Sequence, residues 1–307
     1  MTGDLRLRRR HPAARALERN LRARVPPGVK TAIRRGEGVW TRATAGLRDL
    51  PDFLILGAQR AGTTSLYKYL VEHPAIAAPP LGKGAHFFDT DFHRGPDWYR
   101  GHFPTRIRKQ YVRARSRTRA VTGEGSPYYL FHPLVPARVA GLLPGAKLIA
   151  LLRDPVERAY SQHQHERARG FEHLSFEEAI EREPERLAGE VERMEADNSY
   201  RSFSHQHHSY LARGLYAEQL ERWYQHFPRE QVLVLPSEDF FADPDRVYRV
   251  VLGFLGVPSL SLGEYETFNP RDYADMGEAM RRRLREHFRE PNERLYALLG
   301  RDLGWPR

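Results

Sequence analysis

Residues 53 to 65 read Phe-Leu-Ile-Leu-Gly-Ala-Gln-Arg-Ala-Gly-Thr-Thr-Ser, and this stretch decides the fold of the chain. The apolar run that ends at Gly57 is typical of a short buried strand, and residues Thr64 to His73 have the apolar spacing of a helix. A glycine turn between a strand and a helix directs backbone N–H groups and the helix dipole at one point, and Gly62 lets a bound anion come close. A turn that binds nothing is the alternative, but the hydroxyls of residues 63 to 65 favour an anion site.

The spacing of Gly57 and Gly62 equals that of the phosphate loop in nucleoside triphosphatases, but one position differs. That motif needs a lysine after its last glycine to reach the β- and γ-phosphates, and this chain has Thr63 there. The cation lies three residues earlier, at Arg60, and no convincing aspartate for Mg²⁺ follows a predicted strand. A P-loop kinase or ATPase is therefore disfavoured, while the anion site stands.

A second apolar strand, residues 147 to 152, ends directly at Arg153, and Pro155 then begins a helix. Ligands of open α/β sheets bind at the carboxyl ends of the strands. Ser161 lies on this helix about two turns after Arg153, so the two side chains are predicted to face one oxyanion. The alternative is a local ion pair between Arg153 and Asp154.

Strands and helices alternate along the rest of the chain. A third strand is predicted at residues 231 to 235, and an amphipathic helix at 280 to 299, with a break suggested near Pro291. This alternation predicts a three-layer α/β fold of the P-loop type, with a central parallel sheet flanked by helices. Residues 171 to 208 are charged and rich in histidine, and we expect an insertion or lid there rather than core.

The positive charge of the chain is concentrated near its N-terminus. The net charge of the 307 residues is +10, and residues 1 to 50 hold 13 Lys or Arg against 4 Asp or Glu. Residues 51 to 307 hold 36 against 35, which argues against nucleic acid as the partner of the body. We therefore divide the chain into a basic extension, 1–50, and a domain, 51–307. The extension is predicted either to be a solvated, partly disordered tail or to contact an anionic membrane surface.

The composition also restricts the chemistry and the compartment. The chain has no cysteine, which excludes disulfides, thiolate metal sites and thiol nucleophiles, and which fits a reducing cytosol. No apolar run is long enough for a membrane-spanning helix, and residues 1 to 10 lack the apolar stretch of a signal peptide. We expect a cytoplasmic protein, peripheral at the inner membrane surface if the extension binds lipid.

The two strand-end motifs together resemble the sulfotransferases that use 3′-phosphoadenosine 5′-phosphosulfate (PAPS), particularly the heparan sulfate-type and bacterial carbohydrate enzymes. The resemblance covers residues 52 to 305. Besides the two strand ends, it rests on the motifs His86-Phe-Phe-Asp89, Asp97-Trp-Tyr99, Gly123-Glu-Gly-Ser-Pro127, Arg213-Gly-Leu-Tyr216 and Glu290-Pro-Asn292.

The resemblance implies sulfuryl transfer from PAPS, as co-substrate and without a metal, to a hydroxyl or amine of a carbohydrate, glycolipid or similar acceptor. It implies that the first loop holds the 5′-phosphosulfate, through Arg60, Ala61, Gly62, Thr63, Thr64 and Ser65. Arg153 and Ser161 would hold the 3′-phosphate. Arg271, before the terminal helix, falls in the family's last cofactor loop.

The catalytic base is where the chain departs from this family. The usual glutamate lies two residues before His-Phe-Phe, and Gly84 stands there. The remaining candidates are His86, of suitable ordinary pKa, and Glu124 at a predicted strand end. Each also has a structural interpretation, as a packed histidine and as a carboxylate that orients a cation.

Three further roles complete the predicted site. Arg60 is predicted to stabilise charge on the leaving phosphate oxygen, since its guanidinium can hold two oxygens at once. Lys83 and Asp89 are predicted to bind the acceptor. A catalytically silent protein that binds PAPS or its product 3′,5′-bisphosphate (PAP) is the main alternative to an enzyme, and a P-loop kinase is a weaker one.

Overall fold

The computed structural model describes residues 43–266 and 275–306. Within these residues, four strands form one parallel sheet in the order β2-β1-β3-β4. The strands are β1 (Phe53–Gly57), β2 (Gly123–Gly125), β3 (Lys147–Leu152) and β4 (Val232–Pro236). All residues of β1 are buried, and an unbroken apolar strand is typical of a parallel sheet covered by helices.

Helices connect these strands and flank the sheet, which confirms the predicted fold class. In chain order, the α-helices of the described residues are α1 (Thr63–Glu72), α2 (Pro96–Arg100), α3 (Arg106–Ser116), α4 (Val135–Leu142), α5 (Pro155–Ala168), α6 (Phe176–Glu181), α7 (Glu183–Leu187), α8 (Glu190–Ala196), α9 (Phe203–His207), α10 (Tyr216–Tyr224), α11 (Ser237–Ala242), α12 (Pro244–Leu255) and α13 (Glu278–Leu299).

The order of the strands creates a crevice at one end of the sheet. After β1 the chain moves to β2 on one side, and it then returns to β3 on the other side of β1. Where the strand order reverses in this way, the loops that follow the two central strands separate, and ligands of open α/β sheets bind between them. The loop after β1 and Arg153, directly after β3, both border this crevice.

The terminal helix α13 is continuous, contrary to the break suggested near Pro291. Proline deprives the carbonyl four residues earlier of its donor, but that residue, His287, is exposed, so water can replace the lost bond. The packing of one face maintains the helix on both sides of the proline. Its buried residues are Met280, Leu284, Phe288 and Leu295.

The expectation that residues 171–208 form a lid rather than core is wrong. Phe176 and Ile180 are buried in a second apolar cluster together with Phe288 of α13. The charged composition is misleading because some of the charge is itself buried and used. The carboxylate of Glu183 accepts hydrogen bonds from the backbone N–H groups of residues 211–212, at 2.7 and 2.8 Å.

Residues 1–42 of the predicted extension lie outside the described residues, and the division at residue 50 stays a prediction. The described residues before 50 pack on the domain. The backbone of Arg48 forms an antiparallel bridge with Thr105, and its guanidinium donates to the carbonyl oxygen of Phe103 at 2.6 Å. No helix in the described part of the chain has the length and apolar content to cross a bilayer.

Candidate active site

The loop between β1 and α1 has the geometry of an anion site. Gly62 precedes the first residue of α1 with a φ of 84°, in the left-handed region that favours glycine. A Cβ there would lie 2.9 Å from the ring of Phe241 and 3.1 Å from that of Phe240, so only glycine fits without displacement. The N–H groups in the first turn of an α-helix have no acceptor within the helix, so the start of α1 is suited to an anion.

A cavity of about 580 Å³ opens at the carboxyl ends of β1 and β3. It is lined by the loop between β1 and α1, residues 58–65, which we call the phosphate loop, by α5 and by the segment around residues 206–213. Its cationic and imidazole side chains are those of Arg60, Arg153, Arg169, Arg213, His86, His165 and His207. No aspartate or glutamate of the described chain is among its lining residues. The cavity is thus suited to a ligand with several negative charges.

The structure brings together the predicted phosphate ligands from three segments. Nε of Arg60 donates to Oγ of Ser161 at 3.0 Å, and Nη1 of Arg153 donates to the carbonyl oxygen of Arg60 at 3.1 Å. The carbonyl of Arg153 in turn accepts from the hydroxyl of Tyr216 at 2.9 Å. Arg60 has a φ of 69°, which is uncommon for a residue with a side chain and typical of functional loops.

Lys83 lies directly beside the phosphate loop. Its ammonium donates to the hydroxyls of Thr63 and Thr64, both at 3.0 Å. Burial lowers the pKa of Lys83 to about 7, and the charge of Glu124 only partly opposes this effect. A buried ammonium beside the positive end of a helix dipole is unfavourable unless an anion joins it. Lys83 itself does not line the cavity, and its contacts with Thr63 and Thr64 favour a role beside a bound anion over the predicted contact with the acceptor.

Glu124 is buried beneath the cavity and does not line it. Its Oε1 accepts from the hydroxyls of Tyr99 and Tyr129, at 3.0 and 2.8 Å. Its Oε2 accepts from Ser126 Oγ at 2.8 Å and from the backbone N–H of Ala85 at 2.9 Å. With four donors in place, this carboxylate holds the segment around Ala85 against β2, and it is turned away from the cavity.

His86 lines the cavity and is paired with Asp89. Its Nδ1 lies 2.8 Å from Oδ2 of Asp89, and the imidazole is 40% exposed whereas the carboxylate is fully buried. The pair places the proton on Nδ1, and Nε2 has no hydrogen-bond partner in the described residues. Burial alone would lower the pKa of His86, but the Asp89 carboxylate and, to a smaller extent, the charge of Glu124 together raise that pKa above its usual value.

The remaining predicted residues have different positions. Ala61 is fully buried in the phosphate loop, and Ser65 lines the cavity one residue beyond the two threonines. Asp89 does not line the cavity, because its carboxylate faces His86 and the backbone N–H of Thr90. Arg271 lies outside the described residues.

A second wall of the cavity was not predicted from the sequence. Gln59 donates to Glu166 on α5 at 3.1 Å and accepts a hydrogen bond from Arg213, so it ties the phosphate loop to two distant segments. Oε2 of Glu166 lies 3.2 Å from Nδ1 of His207, which lines the cavity. Arg213 begins one of the quoted motifs and could have been singled out, whereas nothing in the sequence connects Glu166 with His207.

Arg213 is the buried anchor of this wall. Its Nε donates to Ser209 Oγ at 2.8 Å, and its guanidinium lies 4.8 Å from the ring centre of Tyr128, which also lines the cavity. Burial lowers the pKa of Arg213 to about 10, so the guanidinium remains charged near neutral pH. It therefore adds positive charge to this wall of the cavity while fixing its shape.

Two histidines outside the cavity lining, His163 and His205, have contacts of their own. His163 faces the carbonyl of Leu174 at 3.0 Å, and His205 shares a 2.6 Å hydrogen bond with the hydroxyl of Tyr128. Burial lowers the pKa of His205 to about 2, so it is neutral and accepts from the tyrosine. No group of three or more His, Asp or Glu side chains suited to a metal occurs in the described ranges.

Comparison with known proteins identifies relatives of this chain. It is 30% identical over 285 residues to the heparan sulfate glucosamine 3-O-sulfotransferase 3B1 of Mus musculus, a match that covers 85% of this chain and 66% of that protein. It is 34% identical over 245 residues to the human bifunctional heparan sulfate N-deacetylase/N-sulfotransferase 3, covering 77% of this chain and 26% of that one. The chain thus spans slightly less than two thirds of the 3-O-sulfotransferase and about a quarter of the bifunctional protein.

A solved structure and a family model extend the comparison. The crystal structure of a sulfotransferase from Alicyclobacillus acidocaldarius matches with a TM-score of 0.58 and 33% identity, covering 83% of this chain and 97% of that one. The model of the sulfotransferase domain family matches residues 50–271, which include the ends of β1 and β3 and the His86–Asp89 pair described above. The chain therefore belongs to the sulfotransferase domain family.

Proposed function

We propose that the chain transfers the sulfuryl group of PAPS to a hydroxyl or amine of a carbohydrate, a glycolipid or a similar glycan acceptor. The observation that carries this proposal is the cavity itself. The loop between β1 and α1, which Lys83 contacts, meets Arg153 and Ser161 at the strand-order reversal, and no carboxylate of the described residues lines the cavity there. The names of the relatives, which act on heparan sulfate by O- or N-sulfation, support a carbohydrate acceptor.

The residues present fit the two anionic groups of PAPS at separate places. The 5′-phosphosulfate would lie against the first turn of α1, with Thr63, Thr64 and Lys83 beside it. The 3′-phosphate would bind Arg153 and Ser161. Arg60 belongs to the loop between β1 and α1, and its side chain donates to Ser161. Its guanidinium can therefore reach toward the 5′-phosphosulfate or toward the 3′-phosphate. Cationic side chains, hydroxyls and backbone N–H groups together supply the contacts for both anionic groups.

Replacing Arg153 by alanine should discriminate between nucleotides. A lost charge-assisted contact to the 3′-phosphate costs about 1.5 to 3 kcal/mol, so the affinity for PAP should fall by that amount while the affinity for 5′-AMP changes little. Titration calorimetry of the variant with both nucleotides measures the difference. Equal losses for the two nucleotides would show that Arg153 only supports the Arg60 carbonyl.

The chemical step needs an acceptor, a base and a stabilised leaving group. The acceptor atom forms a bond to sulfur while the bond from sulfur to the bridging phosphate oxygen breaks, and the electron pair of that bond remains on PAP. The acceptor proton moves to the base. Positioning and electrostatics carry most of such in-line transfers, and Arg60 stabilises the charge that develops on the leaving oxygen.

His86 is our choice of base. Its Nε2 is the ring nitrogen left open at the cavity, and Asp89 stabilises the imidazolium that forms when the proton arrives. A Cβ at Gly84 would lie 3.5 Å from Nε2, in ordinary van der Waals contact with the ring. The imidazole therefore lies next to position 84, the position at which the family usually has its catalytic glutamate. Glu124, saturated by four donors, is better suited to holding this segment in place.

A transfer assay tests the proposed function. Incubation with PAPS and a panel of glycan acceptors should give sulfated products by mass spectrometry, and PAP should raise the melting temperature. A ligand at 100-fold its Kd adds about 2.7 kcal/mol to the free energy of unfolding, which thermal melting resolves. Stabilisation by PAP without product on any acceptor would favour the silent binding protein. Stronger stabilisation by Mg·ATP than by PAP would favour a kinase.

The compartment is part of the same proposal. We place the protein in the cytoplasm, with residues 1–50 in peripheral contact with an anionic membrane. The charge of that extension and the cysteine-free composition support this placement.

A further inference from the structure

Helix α3 carries a concentrated positive charge on the surface of the domain. Residues 106–119 contain seven Lys or Arg and no acidic residue. Three of these cations pair with Asp49 or Asp52, next to the start of β1. Four others form no ion pair with a described residue, and all four are exposed: Arg108, Arg113, Arg115 and Arg117.

An exposed apolar stripe runs along the same helix. Ile107 is 78% exposed and Tyr111 is 53% exposed, and Ala114 follows at the next turn on the same side. With 3.6 residues per turn, positions 107, 111 and 114 share one face, opposite the buried Val112. Arg108 and Arg115 border the stripe on one side, and Arg106 and Arg113 border it on the other.

This surface is separate from the cavity. Asp52 directly precedes β1 and accepts from Lys109 at 2.8 Å and from Arg119 at 3.1 Å, so α3 is fixed to the amino end of the sheet. The cavity opens at the carboxyl end, about 16 Å away along the five residues of β1. The acceptor therefore does not account for the charge of α3.

The described remainder of the N-terminal segment meets this surface. Arg48 bridges Thr105, the residue that caps α3, and Leu47 beside it is 62% exposed. Residues 1–42 therefore join the domain close to the start of α3. They contain 12 Lys or Arg against 3 Asp or Glu, so their net charge has the same sign as that of the helix.

We propose that this face of α3 docks on an anionic lipid surface, with Ile107 and Tyr111 inserted between the headgroups and the flanking arginines on the lipid phosphates. An apolar centre bordered by cations is typical of helices that lie in the membrane interface, where tyrosine is also favoured. A polyanion such as a nucleic acid or an acidic glycan would use the arginines but would have no need of the exposed isoleucine. The inference goes beyond the contact proposed for residues 1–50 and does not depend on sulfuryl transfer.

The absence of cysteine allows a test at a single position in the full chain. A polarity-sensitive fluorophore on Ala114→Cys should shift to the blue with phosphatidylcholine vesicles that contain about one third phosphatidylglycerol, because the interface is less polar than water. Vesicles of phosphatidylcholine alone should give no shift. The same label on Val250→Cys, a partly exposed position on α12, is the matched control and should stay unchanged.

Two double variants in the labelled Ala114→Cys background separate the contributions. Ile107→Gln with Tyr111→Gln should abolish the shift. Arg108→Gln with Arg115→Gln should weaken vesicle binding by about fivefold per arginine, from about 1 kcal/mol each. Arg167 and Arg282 are exposed arginines on other helices. The double variant Arg167→Gln with Arg282→Gln should weaken vesicle binding less than either of the two double variants on α3. Unchanged melting temperatures would verify that every variant is folded.

Two outcomes would overturn the proposal. Sedimentation of the chain with anionic vesicles without a shift at position 114 would assign all binding to the N-terminal extension. A shift at position 114 with heparin or duplex DNA that survives the loss of Ile107 and Tyr111 would identify a polyanion surface instead.

Discussion

His86→Ala is expected to lower kcat by about 10²- to 10⁴-fold, the usual contribution of a general base, while the affinity for PAP stays the same. The reason is geometric: Nε2 of His86 is open at the cavity while Nδ1 is held by Asp89 at 2.8 Å. In the wild type, kcat should rise with pH through the raised pKa of His86, because only the neutral imidazole accepts a proton. Single-turnover rates with bound PAPS, measured over pH, test both statements.

The control variants distinguish a base from a packing residue. Asp89→Asn should move the acidic limb of the profile to lower pH, since the carboxylate raises the pKa of the imidazole. His93→Ala removes an exposed histidine outside the cavity lining and should leave kcat unchanged. If His86→Ala keeps a nearly full kcat and an unaltered pH profile, another group must be the base.

The anion-binding half of the site could be predicted because its residues are close together in sequence. Residues 57–65 run without interruption from the end of β1 to the first turn of α1, and Arg153 and Ser161 are separated only by the first turns of one helix. Local patterns of glycine, apolar residues and hydroxyls are sufficient to place such groups at strand ends. The order of the four strands then brings the two ends together.

The wall formed by Gln59, Glu166 and His207 could not be predicted in the same way. Gln59 and Glu166 are 107 positions apart, and Glu166 meets His207 only because residues 171–208 fold back against α5. Composition misdirected the interpretation of that segment, since charge usually marks a solvated surface. Here Glu183 and Glu166 are buried because backbone N–H groups, Gln59 and His207 satisfy them. Such satisfaction is a tertiary property, with no local signal.

Lys83→Met is expected to lower kcat/KM by about 10²- to 10³-fold, the cost of removing one preorganised charge from a transition state that develops negative charge. Methionine keeps the length of the side chain and should leave the packing beside Thr63 and Thr64 largely intact. The matched control is Lys68→Met, an exposed lysine on the solvent side of α1. Equal losses in the two variants would show a general effect of charge rather than a contact at the loop.

The pKa of Lys83 adds a dependence on pH that the methionine variant should lack. In the free protein burial holds this pKa at about 7, and a bound phosphosulfate favours the charged ammonium. Nucleotide binding above pH 7 must therefore take up a proton, and the affinity for PAP should fall by at most about tenfold per pH unit in that range. Titrations in buffers of different ionisation enthalpy detect the proton directly.

Stability should change with pH in the opposite direction to affinity. In the unfolded chain Lys83 has its ordinary pKa of 10.5, so between pH 7 and that value the unfolded state binds more protons than the folded state. The free energy of unfolding of the wild type should therefore rise with pH over this interval, relative to Lys83→Met. Below pH 7 both states are protonated, and the variant should be the more stable protein, because it buries no charge beside the helix N-terminus. A wild type as stable as the variant at low pH would mean that Lys83 is solvated, and the anion site would then lose its buried cation.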